Sequence, residues 1–352
     1  MFLTVLIIFF CLISLMVLHE LGHFLMAKRF GVEVEEFGIG YPPRIFGKKI
    51  KGTIYSLNLL PFGAFVKITG EEERVENSKS FSQKPIWQRS LIILGGVVSF
   101  WLVAVIIFSS IAFFWGLPTS IPDDLEYSGN KTEVMAVEIM DNSPAQLAGM
   151  KPGDKIMNFN KINQFQEFIK SHQGEEITLT IERGKESLDI DLTPRVSYPQ
   201  DEGSIGVGLA RVANIRYPWY QAPWQGISVA AKQTVAIPII LGNILKKVFQ
   251  GEEIKGVKLV GPVGIGKMMS ESLMQGGVNF LMLLSMISIW LAVFNILPIP
   301  ALDGGKLLFL GLEKIRGRAI NQKIEAKINA VFFTLLLGLM LFVTIKDIIG
   351  LL

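Results

Sequence analysis

Two histidines and a glutamate stand in "SLMVLHELGHFLMAK", residues 14–28, one of the most apolar stretches of the chain. His19 and His23 are four residues apart, so on a helix they share a face with Cβ atoms about 5–6 Å apart, suited to gripping one ion. Glu20 is offset around the helix and can reach a water on that ion. This is the H-E-x-x-H arrangement, in which the histidines ligate zinc and the glutamate is the general base. A structural polar patch is the alternative, but an ionisable group at membrane depth is costly unless it faces protein, a partner or water. The chain has three histidines and spends two of them here.

A catalytic zinc usually takes three protein ligands and leaves a position for water. His172 lies in a polar segment far along the chain and is a poor third ligand. Glu33, Glu35 and Glu36 follow the histidines too closely and read as a solvated face. No carboxylate lies between Glu36 and Glu71, and Asp303 is the single carboxylate between Glu271 and Glu313. Asp303 falls at the cytoplasmic end of an apolar run, at the depth expected for the histidines, and is nominated on that ground. Its context, "FNILPIPALDGG" (Phe294–Gly305), breaks the helix at Pro298 and Pro300 and permits tight turns at Gly304 and Gly305. Broken backbone at membrane depth is tolerated where it is buried in protein or lines a cavity. Asn295 adds a hydrogen-bonding amide there.

The elements that must hold these residues are membrane helices. Of 352 residues, half are hydrophobic and 18% charged, against about 25% charged in soluble proteins. The net charge of +3 does not argue for nucleic acid, and a lone cysteine, Cys11, excludes an internal disulfide. A span needs about 20 apolar residues, with ~17 as the lower limit. Four runs qualify: Met1 to Met26, Leu91 to Leu117, Phe280 to Leu297 and Ile328 to Ile345. The first lacks the basic start and cleavage site of a signal peptide. Lysines and arginines cluster after the first span (Lys28, Arg29, Arg44, Lys48, Lys49, Lys51) and after the third (Lys306, Lys314, Arg316, Arg318, Lys323, Lys327). Both loops are therefore expected in the cytoplasm, with the N-terminus, the middle segment and the C-terminus outside. The uncharged run Gln233 to Leu245, flanked by Trp219, Trp224, Lys246 and Lys247, is too short to span; it reads as an interfacial helix or a packed helix of the soluble part.

The middle segment is different material. Residues 134–195 alternate as strands do, and "NSPAQLAGMKPGDKIMNFN" (Asn142–Asn160) resembles the PDZ signature. Such domains bind extended peptide ends by strand addition; a plug or spacer is the alternative. The domains expected are 1–117, a first membrane part; 118–210, an extracytoplasmic PDZ-like domain; 211–279, a linker with the interfacial helix; and 280–352, a second membrane part.

HELGH in the first span, together with N-x-x-P-x-P-x-L-D-G-G near the third, resembles the site-2 protease family of intramembrane metalloproteases. One PDZ-like insert between spans two and three is similar to its bacterial RseP-type branch. The likeness includes "YSLNLLPFGAFVKITGE" (Tyr55–Glu71), similar to a membrane-associated β-hairpin, and "GPVGI" (Gly261–Ile265). The hairpin has Phe-Gly-Ala where glycine pairs are common, and some relatives carry two PDZ domains. The fold so implied is an α-helical polytopic membrane protein of about four transmembrane helices, with a membrane-associated β-hairpin and one inserted β-rich PDZ-like domain. The resemblance implies zinc on His19, His23 and Asp303, with Glu20 as catalytic base and Asn295 holding substrate backbone or its oxyanion. It implies single-pass membrane proteins as substrates, cut within the inner-membrane bilayer after an outer-side, site-1-type protease. Anti-sigma factors and remnant signal peptides are examples.

Two other classes compete with this reading. A membrane scaffold with a vestigial site would be expected to have lost a ligand. A metal transporter would be expected to show repeated halves and polar groups along several spans.

Overall fold

The computed structural model describes residues 2–71, 73, 75–126, 132–184, 186–199, 202–251 and 259–350. The chain opens with α1 (Phe2–Arg29), folds through β1 (Val34–Ile50) and β2 (Thr53–Ile68), and enters α2 (Ile86–Phe114). A β-rich unit follows: β3 (Leu117–Ser120), β4 (Glu133–Ile139), α3 (Pro144–Leu147), β5 (Lys155–Ile156), α4 (Ile162–Ser171), β6 (Ile177–Arg183), β7 (Glu186–Leu192) and β8 (Val207–Ile215). The rest is helical, with α5 (Ala222–Gln250), α6 (Pro262–Gln275), α7 (Gly277–Ile296), α8 (Asp303–Arg316) and α9 (Gln322–Ile349).

Each of the four apolar runs folds as one long helix: α1, α2, α7 and α9. Small residues let α1 and α2 cross closely. A Cβ on Gly22 would overlap the Gly95 carbonyl, and one on Gly95 would crowd the Gly22 carbonyl. Such contacts between small residues are how membrane helices bring backbones together. Ser288 of α7, fully buried, donates to the Phe100 carbonyl of α2 at 2.8 Å, satisfying its hydroxyl inside an apolar bundle.

The segment 222–250 departs from the sequence expectation. It forms a single 29-residue helix, α5, which makes five helices among the described residues long and apolar enough to cross a membrane. Lys232 cuts the uncharged run short, yet one lysine does not interrupt a helix whose buried positions recur four residues apart. Ala222, Gly226 and Ala230 face α2, where a Cβ on Gly226 would overlap Val105 and Ser109, and Ile237 joins the cluster with Phe108 and Ile289. The first half of α5 thus packs on α2 and α7 instead of lying free in an interface. Of the expected linker, residues 252–258 lie outside the described residues.

The hairpin is larger than the Tyr55–Glu71 stretch suggested, since residues 34–50 form its first strand. The first half of β1 lies between the two halves of β2, so Ile39 is opposite Ala64 on one side and Leu57 on the other. The 64–68 segment is left at the sheet's edge. Phe62 reaches Phe9 of α1, ring centroids 6.5 Å apart, so the bend of β2 climbs alongside the first helix.

The β-rich unit has its own sheet, in the order β3-β8-β4-β5-β6-β7, and its own core around Phe165, Ile181 and Val134. Ser143 caps α3 by accepting the Gln146 N–H at 3.2 Å, with Pro144 in the first turn. Asp154, fully buried, accepts the Lys151 N–H and two bonds from the Arg183 guanidinium, each at 2.7 Å. Those bonds explain the Gly-Asp turn: a buried carboxylate persists when paired and hydrogen-bonded.

Candidate metal centre

His19 and His23 project from one face of α1 and Asp303 opens α8. Their ligand atoms converge: Asp303 Oδ2 is 3.4 Å from each histidine Nε2, and the two Nε2 atoms are 3.2 Å apart. Among the described residues this trio is the group of three or more His, Cys, Asp or Glu side chains placed to hold a metal ion.

Neighbouring helices fix each ligand. His23 Nδ1 lies 2.9 Å from the Ile92 carbonyl, which can only accept. Nδ1 therefore carries the proton and Nε2 presents its lone pair inward, the usual outer support of a metal-bound histidine. The His19 ring stacks on Phe100, centroids 4.5 Å apart and 18° from parallel. Gly96 makes room for both rings, since a Cβ there would overlap His23 Nε2 and His19 Cε1.

The LDGG turn works by subtraction of side chains. A Cβ on Gly304 would strike the Leu297 and Ile296 carbonyls, and one on Gly305 the Ile299 carbonyl. Only glycine lets the first turn of α8 fold back under the end of α7. Ala301 takes φ +76°, a left-handed conformation, and its N–H donates to Asn329 Oδ1 of α9 at 3.1 Å. Asp303 sits at the positive end of α8, which favours its carboxylate.

A cavity of about 470 Å³ opens onto the trio. Glu20, Tyr41 and the edge residues Ala64, Phe65 and Val66 line it with Glu71 and Lys306. Asn295 lies apart: its amide donates to the Leu291 carbonyl at 2.9 Å and it does not line the cavity. His172 belongs to the β-rich unit, its Nδ1 donating to the Phe168 carbonyl at 2.8 Å. Glu35 pairs with Lys67 and Glu36 with Arg44 near the surface. Gly96, Phe100, Asn329, Glu71 and Lys306 were not singled out from sequence. The Gly95-Gly96 pair inside an apolar helix was a legible signal of close approach; the others depend on contacts across the fold.

The donor set, two imidazole nitrogens and a carboxylate oxygen, suits zinc. Asp303 Oδ2 is buried and has no hydrogen-bond partner, which is costly unless a cation satisfies it. Residues 7–339 match peptidase family M50. The chain belongs to this family. A Clostridium perfringens protein provisionally named a zinc metalloprotease is 35% identical over 343 residues, covering 96% of both chains. The Bacillus subtilis regulator of sigma-W protease RasP is 28% identical over 425 aligned residues, covering 95% of this chain and 96% of its own. The zinc metalloprotease RasP of Geobacillus kaustophilus is 27% identical, with 95% of each covered. This M50 peptidase is accordingly a zinc metalloprotease and a multi-pass membrane protein.

Proposed function

We propose that this M50 peptidase is a single-PDZ member of the RseP-type branch that cleaves transmembrane segments of single-pass membrane proteins, as the second cut after an outer-side protease. The observation that carries it is the cavity itself, where His19, His23, Asp303 and Glu20 share one space with the edge of β2. A helical substrate hides its carbonyls in i to i−4 bonds, so it must be unwound before hydrolysis. The Ala64–Val66 edge offers backbone partners to the unwound strand.

Zinc, when bound, polarises the scissile carbonyl and acidifies the attacking water. Glu20 takes that water's proton and delivers it to the leaving amine. His23 is held by the Ile92 carbonyl with Nε2 turned inward, and His19 is seated against the Phe100 ring. Asn295, whose amide has a second N–H beside the one given to Leu291, would steady the substrate backbone or its developing oxyanion.

The orientation that fits the basic loops sets residues 28–51 and 303–327 in the cytoplasm and the PDZ-like domain, 118–210, outside. The location is the inner membrane, with the metal near the cytoplasmic face. α5 begins beside α2's outer end, where the Tyr217 N–H meets the Ala112 carbonyl at 3.0 Å. α6 begins beside Asp347, near the C-terminal end of α9, with the Gly261 N–H 2.9 Å from Asp347 Oδ2. Both points are external in this orientation, so α5 leans on α2 without completing a crossing, and four helices span.

In the PDZ-like domain, β3 pairs with β8 only at 212–215. A cavity of about 220 Å³ beside the remaining stretch is lined by Phe165, Ile169, Val207 and Leu209. That opening between α4 and β8 favours a peptide-binding role alongside size filtering. The sigma-W connection belongs to the Bacillus relative; for this chain, anti-sigma factors and remnant signal peptides are the substrates proposed.

The test is capture on Glu20→Gln in native membranes. Single-pass membrane proteins that the active enzyme cuts within their membrane segment should be enriched. Recovery of soluble proteins alone would refute the reading.

A further inference from the structure

Glu71 and Lys306 line the catalytic cavity without ligating metal or moving a proton. Lys306 lies three residues past Asp303 on α8, so both project from the same side of the helix. Its Nζ donates to Glu71 Oε1 at 2.6 Å. Glu71 follows directly on the edge half of β2. Gly70, at φ +80°, turns the chain, and the Glu71 N–H donates to the Ile68 carbonyl at 3.2 Å. Thr69 is fixed on both sides, its N–H on the Glu33 carbonyl at 3.0 Å and its own carbonyl accepting the Phe81 N–H at 2.8 Å. Glu71 is therefore the anchored end of the strand whose residues Ala64, Phe65 and Val66 face the metal trio.

The pair's place in the fold points beyond stability. The Lys306 side chain is 42% exposed and that of Glu71 17%, and a pair partly open to water contributes on the order of 1 kcal/mol. α8 has a second tie as well, since Arg89 of α2 donates to Glu313, two turns further along the same face, at 3.1 Å. What the pair does join, across 235 positions of sequence, is the helix bearing a zinc ligand and the strand edge proposed to hold the peptide. A charge-assisted bond is short and directional, so it fixes a distance where an apolar contact would leave slack.

We propose that the Lys306–Glu71 pair is a positioning strut. It sets the offset between the Ala64–Val66 edge and Asp303, so that a strand-bound peptide presents its carbonyl within reach of the metal and Glu20. The inference rests on the proposed proteolysis of an extended segment. A misplacement near 1 Å can cost on the order of 100-fold in rate, so a strut of this kind acts on turnover more than on affinity.

The experiment uses the full chain in detergent or liposomes with its zinc content measured, and a transmembrane peptide that the wild type cleaves. Lys306→Met and Glu71→Gln should each lower kcat by about tenfold or more, with KM and zinc unchanged. The double variant should be no slower than the slower single, and Lys306→Arg should recover most of the rate. Independent, multiplying losses would overturn the strut, as would an effect confined to KM, an unchanged kcat, or loss of zinc from Lys306→Met. Glu20→Gln is run beside them. If it stays active, the catalytic reading has failed, and the cycle between Lys306 and Glu71 still reports whether they act as one unit.

Discussion

Gly96 of α2 lies so close to His23 of α1 that one added carbon would overlap the imidazole. The same carbon would meet His19, so the helix crossing and the ligand spacing are one geometric fact. Gly96→Ala should push the rings apart and weaken zinc binding by about 10–100-fold, the range for residues that support a ligand. Gly311→Ala on α8, where a Cβ meets open space, should be neutral or slightly stabilising. Metal content of the purified proteins is the measurement. Full zinc in Gly96→Ala would contradict the assigned crossing.

Base and ligands should separate cleanly. Glu20→Gln is expected to keep zinc and lose cleavage by about 100-fold or more, because it removes a proton carrier and no donor. His23→Ala should lose both metal and cleavage, and a chelator should reproduce that loss in the wild type. A Glu20→Gln protein that cuts at the normal rate would end the general-base assignment.

Topology can be read with an impermeant thiol reagent on a Cys11→Ser background. Cysteines at Lys48 and Arg316 should react only from the cytoplasmic side, and one at Lys170 of α4 only from outside. Positions 48 and 170 reacting from the same side would defeat the proposed orientation.

The β-rich unit sits on the far side of the bilayer from the metal in this orientation, so its influence should be on entry. Replacing residues 121–211 with a short flexible linker keeps the β3–β8 ladder, Leu117 opposite Ile215 through Ser120 opposite Val212. That protein should still cut a substrate already trimmed outside and should begin to cut the untrimmed form. If it retains zinc yet rejects the untrimmed form completely, size filtering is excluded and a peptide-receptor role stands in its place.

The chemistry was legible in the sequence because it is local. HELGH puts three functional groups on two turns of one helix, and LDGG announces a tight turn where a carboxylate is otherwise unexpected. The strands of 134–195 were legible from alternation, as β4, β6 and β7 bear out. The first strand of the hairpin was not, since residues 34–50 mix charge, proline and glycine without a clean period of two; their pairing comes from β2. α5 was missed as a long helix because a run of uncharged residues undercounts a segment that tolerates a lone Lys232. Asn295 was nominated by its neighbourhood; that its amide gives one N–H to Leu291 is a choice of rotamer that no sequence displays. Lys306 and Glu71 were each visible as charges; only the folded chain brings them to 2.6 Å.

The left-handed Ala301, two residues before Asp303, carries a further meaning. That conformation costs an L-residue about 1–2 kcal/mol, and strained backbone persists only where its surroundings over-determine it. Here Asn329 of α9 supplies one restraint, and an ion seated on Asp303 would supply another. Two restraints on one turn are linked equilibria, and linkage is reciprocal. Whatever seats α9 should tighten the grip on zinc, and zinc should in turn slow exchange of the Ala301 amide hydrogen. An amide that exchanges equally fast with and without metal would show the two to be independent. If they are linked, metal occupancy is a gauge of how firmly the last helix is docked, readable without any substrate.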